Sequence, residues 1–145
     1  MRLRVYFLGV AGLLPFIGLT VATWFGPAEW HAPLIHALAV YAALIISFLG
    51  GMHWGVALSR PEHARKHMLL GVAPAMLAWG AVLLPWSILA LSAFILLLLL
   101  CWWIDRLWFG GIGQRLGYGA LRTGLTAVAA LSLLAAIGSY GRVGI

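Results

Sequence analysis

Acidic residues are almost missing from this chain: Glu29, Glu62 and Asp105 are the only three among 145 residues. Charged residues of both signs make up 8% of it, where a soluble domain carries about a quarter. That scarcity excludes a water-soluble globular domain. It also leaves an ion-coupled transporter without the deep carboxylate it would need. Cysteine is limited to Cys101, so neither an intrachain disulfide nor a cysteine-based zinc cluster can form. Cys101 sits in an apolar run with no base near it in sequence, and packing is its expected role. Phosphate-binding glycine loops are missing too. Gly110–Gly119 (GGIGQRLGYG) contains neither GxxxxGK[ST] nor GxGxxG, and its glycines are expected to permit a tight link. Finally, there is no basic run. The net charge of +6 is scattered between hydrophobic stretches, so nucleic acid is not an expected partner.

What fills the chain instead is apolar: 64% of residues are hydrophobic. Val5 to Pro27 carries no charge after Arg2 and Arg4. A cleaved signal peptide has that order of features, but this run is too long, Pro15 interrupts it, and no small-x-small site follows. The expected first span is 5–25. Gly26–Pro33 is a turn, and the second span is 34–58. The loop Ser59–His67 (SRPEHARKH) has the densest charge in the chain. Met68 to Ile104 is again uncharged, and as one helix it would rise roughly 55 Å, well beyond a ~30 Å hydrocarbon core. It must fold back. Pro85-Trp86-Ser87 is the expected turn, giving spans 68–84 and 86–108 as a tight hairpin, with Pro74 kinking the first of them. A fifth span is expected at 121–140. No room is left for a large domain outside the membrane.

Five crossings put Arg2, Arg4, Arg60, Arg65, Lys66, Arg106, Arg115 and Arg122 on one side and Arg142 alone on the other. The positive-inside rule then sets the amino terminus inside and the carboxyl terminus outside. Trp24, Trp30 and Trp86 fall near the outer interface, and Trp54, Trp102, Trp103 and Trp108 near the inner one. Trp79 lies deeper, where a packing role is expected.

The second span is the expected centre. Ala43, Ser47, Gly51 and Gly55 recur every four residues, which aligns them on one helical face where another backbone can come close. His53 follows near the inner end. A ring at that depth is costly unless hydrogen-bonded or wet. The favoured reading is a neutral histidine bonded to another helix. Asp105 closes the fourth span and Arg122 opens the fifth at the same level. With His53, Trp54, Tyr118 and Thr126 they could line an inward-facing pocket for a head group, with arginine as the bidentate donor. The competing reading is a set of interface anchors, with Asp105 paired to any nearby arginine.

Other chemistries fit less well. His36 and His53 lie roughly 25 Å apart along one helix and cannot share an iron. His31, His63 and His67 belong to ends or loops, which leaves His53 with Met68 as the one conceivable haem pair. Ser47 and His53 point about 120° apart, too far for a nucleophile and its base. No cofactor and no metal are expected.

Tyr41–Gly55 (YAALIISFLGGMHWG) and Tyr118–Thr126 (YGALRTGLT), with Asp105 between them, are similar to the two signature blocks of the domain of unknown function 3429 family. Its members are transmembrane protein 69-like integral membrane proteins of bacterial inner membranes and mitochondria. The resemblance implies a multispan fold and no particular activity.

The sequence thus leads to an all-α integral membrane bundle of five helices in a single domain, 1–145, set in a bacterial inner membrane. Its expected partners are membrane lipids, other membrane proteins or a second copy of itself. The favoured role is a non-enzymatic accessory or assembly protein. The alternative is a binder of a lipid, quinone or other amphiphile at His53, Asp105 and Arg122. Enzymatic action on a lipid head group at the same residues is the least favoured.

Overall fold

The computed structural model describes residues 2–84, 87–109 and 117–144. Among these residues there is no strand. Six helices follow in order: α1 (Arg2–Ala11), α2 (Leu14–Phe25), α3 (His31–Ser59), α4 (Ala64–Val82), α5 (Ser87–Phe109) and α6 (Tyr118–Gly138). Single 3-10 turns occupy Ala28–Trp30, Pro61–His63 and Ser139–Val143. The Pro85-Trp86 turn and residues 110–116 of the glycine-rich connector lie outside the described residues.

The first apolar run is two helices rather than one. Pro15 has no N–H to give, and its ring crowds the carbonyl four residues back. One helix therefore stops at Ala11 and the next starts at Leu14. Gly12 and Leu13 form the joint, donating to the Leu8 and Val10 carbonyls at 3.1 and 2.9 Å. The Gly12 carbonyl accepts from the Tyr41 hydroxyl of α3 at 2.7 Å. Phe16 meets the same tyrosine edge to face, with ring centroids 5.1 Å apart.

Among the described residues, four stretches are long and apolar enough to cross a bilayer: Leu3–Phe25, Ala28–Ser59, Ile88–Trp108 and Tyr118–Val143. The segment expected over 68–84 is present as α4, but it is not among them. Its helix starts four residues earlier and takes in Arg65, Lys66 and His67, which dilute its apolar character. The outward faces suit lipid. Leu44, Leu77, Leu96 and Leu131, one from each of α3 to α6, are 54–68% exposed, an apolar surface that water would not tolerate over such an area. Trp79 belongs to this outer belt at 62% exposure, so it does not take the packing role expected of it.

α3 lies centrally, packed against α2, α4 and α5. Its core face is Ile35, Leu38, Ala42 and Ile46, which meet Phe16, Leu91, Phe94, Leu98 and Leu133, all essentially inaccessible. The most intimate helix pair is α3–α4, not the α4–α5 hairpin expected from the sequence. Two glycines explain why. A Cβ on Gly50 would collide with the Gly71 carbonyl, and one on Gly71 would lie 3.1 Å from the Gly50 carbonyl and inside the Trp54 ring. The backbones therefore touch where both side chains are missing. The ladder expected to make such a seam sits one residue round. Ala43 and Ser47 are half-buried, while Gly51 and Gly55 face open space, where an added Cβ would meet nothing within 4 Å.

At the end of the bundle remote from α4's basic turn, α6 is stitched to the start of the chain. Thr20 donates to the Ser132 carbonyl at 3.1 Å and Trp24 Nε1 to the Ala135 carbonyl at 2.9 Å. Ser139 gives its hydrogen to the Ala136 carbonyl at 2.6 Å and so accepts from His31 Nε2 at 2.8 Å. Arg142 donates to the Thr23 carbonyl at 2.9 Å and to that of Gly26 at 3.0 Å. It caps the unsatisfied carbonyls at the end of α2.

Adding one methyl group tests the seam. Gly50→Ala should lower stability in detergent by roughly 1–3 kcal/mol through overpacking. Gly51→Ala should be neutral, or stabilising by up to ~1 kcal/mol from helix propensity. Equal thermal unfolding of the two variants would contradict the Gly50–Gly71 contact.

Candidate functional site

His53, Asp105 and Arg122 come from three helices and meet. Asp105 lies one turn before the end of α5, and Arg122 one turn into α6. The antiparallel course of α5 and α6 brings them level, with Trp102 Nε1 donating to Thr123 Oγ1 at 2.9 Å alongside. Arg122 Nε donates to Asp105 Oδ2 at 2.8 Å, and His53 Nε2 to Asp105 Oδ1 at 3.0 Å. Both carboxylate oxygens are thus occupied. All three side chains are nearly inaccessible, between 4 and 6% exposed as residues.

The network continues to α4. His53 Nδ1 lies 3.1 Å from His67 Nδ1, and only one hydrogen fits between them. Asp105 fixes a hydrogen on His53 Nε2, so a neutral His53 accepts from His67 Nδ1–H. His67 meets the Trp108 ring edge to face at 5.6 Å, and Lys66 Nζ stands 5.4 Å from the same ring's centre. His67 is buried although the sequence places it in a loop. Its membership follows from α4 starting at Ala64, one turn earlier than the apolar pattern suggests. Because both His53 nitrogens are engaged, neither is presented to an iron shared with Met68.

Arg122 points its remaining atoms elsewhere. One Nη donates to Thr126 Oγ1, while Nη2 is buried without a hydrogen-bond partner. Arg122 and Thr126 line a cavity of about 340 Å³ between α1, α3 and α6. Tyr118 borders it, its hydroxyl donating to the Met52 sulfur at 3.6 Å. The remaining wall is apolar, including Gly9, Gly12, Leu13, Phe16, Leu98 and Leu125. Leu8 and Phe48, 70 and 67% exposed, stand at the rim and open it toward the apolar outer belt. Volume and lining fall within the range of small-molecule sites.

The six residues expected to form one pocket therefore separate. Tyr118, Arg122 and Thr126 face the cavity. His53 and Asp105 stand behind Arg122, beside a gap of about 10 Å³ shared with Cys101 and Pro74, the lower limit for a single water. Trp54, one residue from His53 and so about 100° round the helix, lies over Gly71 with 43% of its surface exposed. The cavity wall given by α1 has no signature in the sequence, since Leu8, Gly9 and Gly12 carry no chemistry of their own.

The family model for "Protein of unknown function (DUF3429)" matches residues 1–138. The chain belongs to this family. Both signature blocks contribute to the site of this DUF3429 protein, His53 from the first and Tyr118, Arg122 and Thr126 from the second. It is similar to transmembrane protein 69 of Xenopus tropicalis, with 28% identity over 90% of this chain and 52% of the relative. The chain thus spans about half the length of that relative. No solved structure matches it.

A buried ion pair responds asymmetrically to removal of one or both partners. Asp105→Ala leaves the Arg122 cation uncompensated and should cost roughly 3–5 kcal/mol. Asp105→Leu combined with Arg122→Leu should lose far less, because no charge is then stranded. Unfolding in detergent reads both, and additive losses would count against the pairing.

Proposed function

We propose that this DUF3429 protein is a membrane-embedded, non-enzymatic binder of an amphiphile, held in the cavity beside Arg122. One observation carries the reading: Arg122, which has a buried guanidinium nitrogen with no hydrogen-bond partner, lines a largely apolar cavity that opens toward the outer apolar belt. A donor in that position is satisfied when a ligand brings an oxygen to it. The tail would lie along Leu8 and Phe48. Asp105 and His53 act as positioning groups that hold the guanidinium still.

A second reading, assembly with another membrane protein or a second copy of this chain, draws on the outward ladder of Gly51 and Gly55 beside Ala43 and Ser47. Among the described residues outside the helix's own backbone, a Cβ added at either glycine would meet nothing within 4 Å, and a partner helix would gain close backbone contact there. The two roles are compatible.

The topology we favour has five crossings, with α4 as the third. Its 19 residues rise ~28 Å, close to the hydrocarbon thickness. The basic turn around Arg60, Arg65 and Lys66 then lies inside an inner membrane and Arg142 outside.

Native mass spectrometry of the protein released in mild detergent should show a discrete extra mass on the wild type. Occupancy should fall about tenfold or more in Arg122→Met, the loss of one hydrogen bond to a charged group. A bare wild-type chain would remove the binding role. If instead Gly51→Leu alone dissolves a larger complex, assembly is the role that stands. Single cysteines placed at Glu62 and Gly141, in a Cys101→Ala background, should react from opposite faces of sealed vesicles. Labelling from one face would rule out five crossings.

A further inference from the structure

Resting on the reading of the cavity as a ligand site, we propose that its ligand meets Arg122 through a neutral carbonyl oxygen and not through a carboxylate or phosphate. Arg122 already has its counter-ion. Arg122 is the cation nearest the cavity, and Asp105 neutralises it through the 2.8 Å bond to Nε. The other carboxylate oxygen is taken by His53. Only one hydrogen fits in the 3.1 Å contact between His53 Nδ1 and His67 Nδ1. The ion pair behind the cavity therefore carries one positive and one negative charge and no surplus of either.

An anionic head group entering the cavity would bring a charge that nothing offsets. The lining is apolar apart from Tyr118, Arg122 and Thr126, and an unpaired ion in such surroundings loses its hydration without compensation. A neutral acceptor escapes that cost and still receives a charge-assisted hydrogen bond from Nη2, the one buried polar side-chain atom among the described residues without a partner. Thr126 reinforces the preference. Its oxygen accepts from Arg122, so its own hydrogen is available to a second acceptor at the same edge.

Two kinds of membrane molecule offer a neutral carbonyl on an apolar tail. One is a quinone, with the carbonyl on its ring. The other is a glyceride, with the carbonyl in its ester. They share the recognised oxygen and differ in the body behind it.

The test uses the full-length protein in maltoside detergent and three probes with equal ten-carbon tails: a decyl benzoquinone, monodecanoylglycerol and decanoate. Binding is followed by thermal stabilisation and by titration at neutral pH. At least one neutral probe should bind about tenfold or more tightly than decanoate, and Arg122→Lys should lose that margin. Should Arg122→Lys fail to fold, Leu8→Trp at the rim, remote from the ion pair, should weaken the neutral probe instead. Preference for the quinone or for the glyceride names the source. Tighter binding of decanoate would overturn the neutral-carbonyl proposal and leave the amphiphile site standing. If none of the three binds, both fall.

Discussion

A nearly inaccessible carboxylate holds this structure together at one end. Asp105 accepts from Arg122 on one oxygen and from His53 on the other, so one side chain of α5 ties α6 and α3 to itself. Through His53 it reaches α4 as well. A buried charge is tolerable only when its geometry is complete, and completeness here requires four helices in register. Sliding α5 or α6 by a single turn would strand a charge, and sliding α3 or α4 would break the histidine contacts. The apolar packing of α3 against Phe16, Phe94 and Leu98 has no such demand for register, since leucines and phenylalanines exchange places at modest cost. Specificity at this end comes from the polar cluster.

The cavity follows from how α1 is attached. Pro15 stops the first helix, and the stump beyond it is held by Tyr41 on the Gly12 carbonyl, by Tyr6 on the Gly117 carbonyl at 3.3 Å, and by Gly9 against Leu121 and Leu125. These contacts lie at the ends and along one edge of α1. Between them the wall toward Arg122 stays open. A continuous, unbroken helix from Arg2 to Phe25 would have one axis throughout. The joint lets α1 and α2 take separate courses, and the space between α1, α3 and α6 is left unfilled.

Much of this is legible in the sequence, because depth in a membrane can be read from a one-dimensional pattern. Charge-free runs locate the helices, and the common level of His53, Asp105 and Arg122 follows from their distances to the run ends. Direction around a helix is less legible. Gly51 and Gly55 repeat with Ala43 and Ser47, yet the contact falls to Gly50, because its partner is a glycine on α4 that no spacing along α3 can reveal. Adjacency groups Trp54 with His53, and adjacency is what turns it to another face. His67 is hidden by a boundary: a helix extended by one turn into a charged loop looks like loop until a buried partner shows why it continues. The pocket's apolar wall leaves no trace, since its residues are typical of any span.

The far end works without buried acid. Thr20, Trp24, His31 and Arg142 find their partners on α6 and the turn after it, or, for Arg142, back on α2. Each of these bonds joins residues more than a hundred positions apart, 119 in the case of Arg142 and Thr23. Such separations matter during synthesis. A chain made from its amino end produces α2 long before its partners on α6 exist, and the end of α2 must wait with its carbonyls uncapped. The end of α2, made early, is thus secured late. Arg142 acts as a clasp that can close on the end of α2 only after α6 has been made.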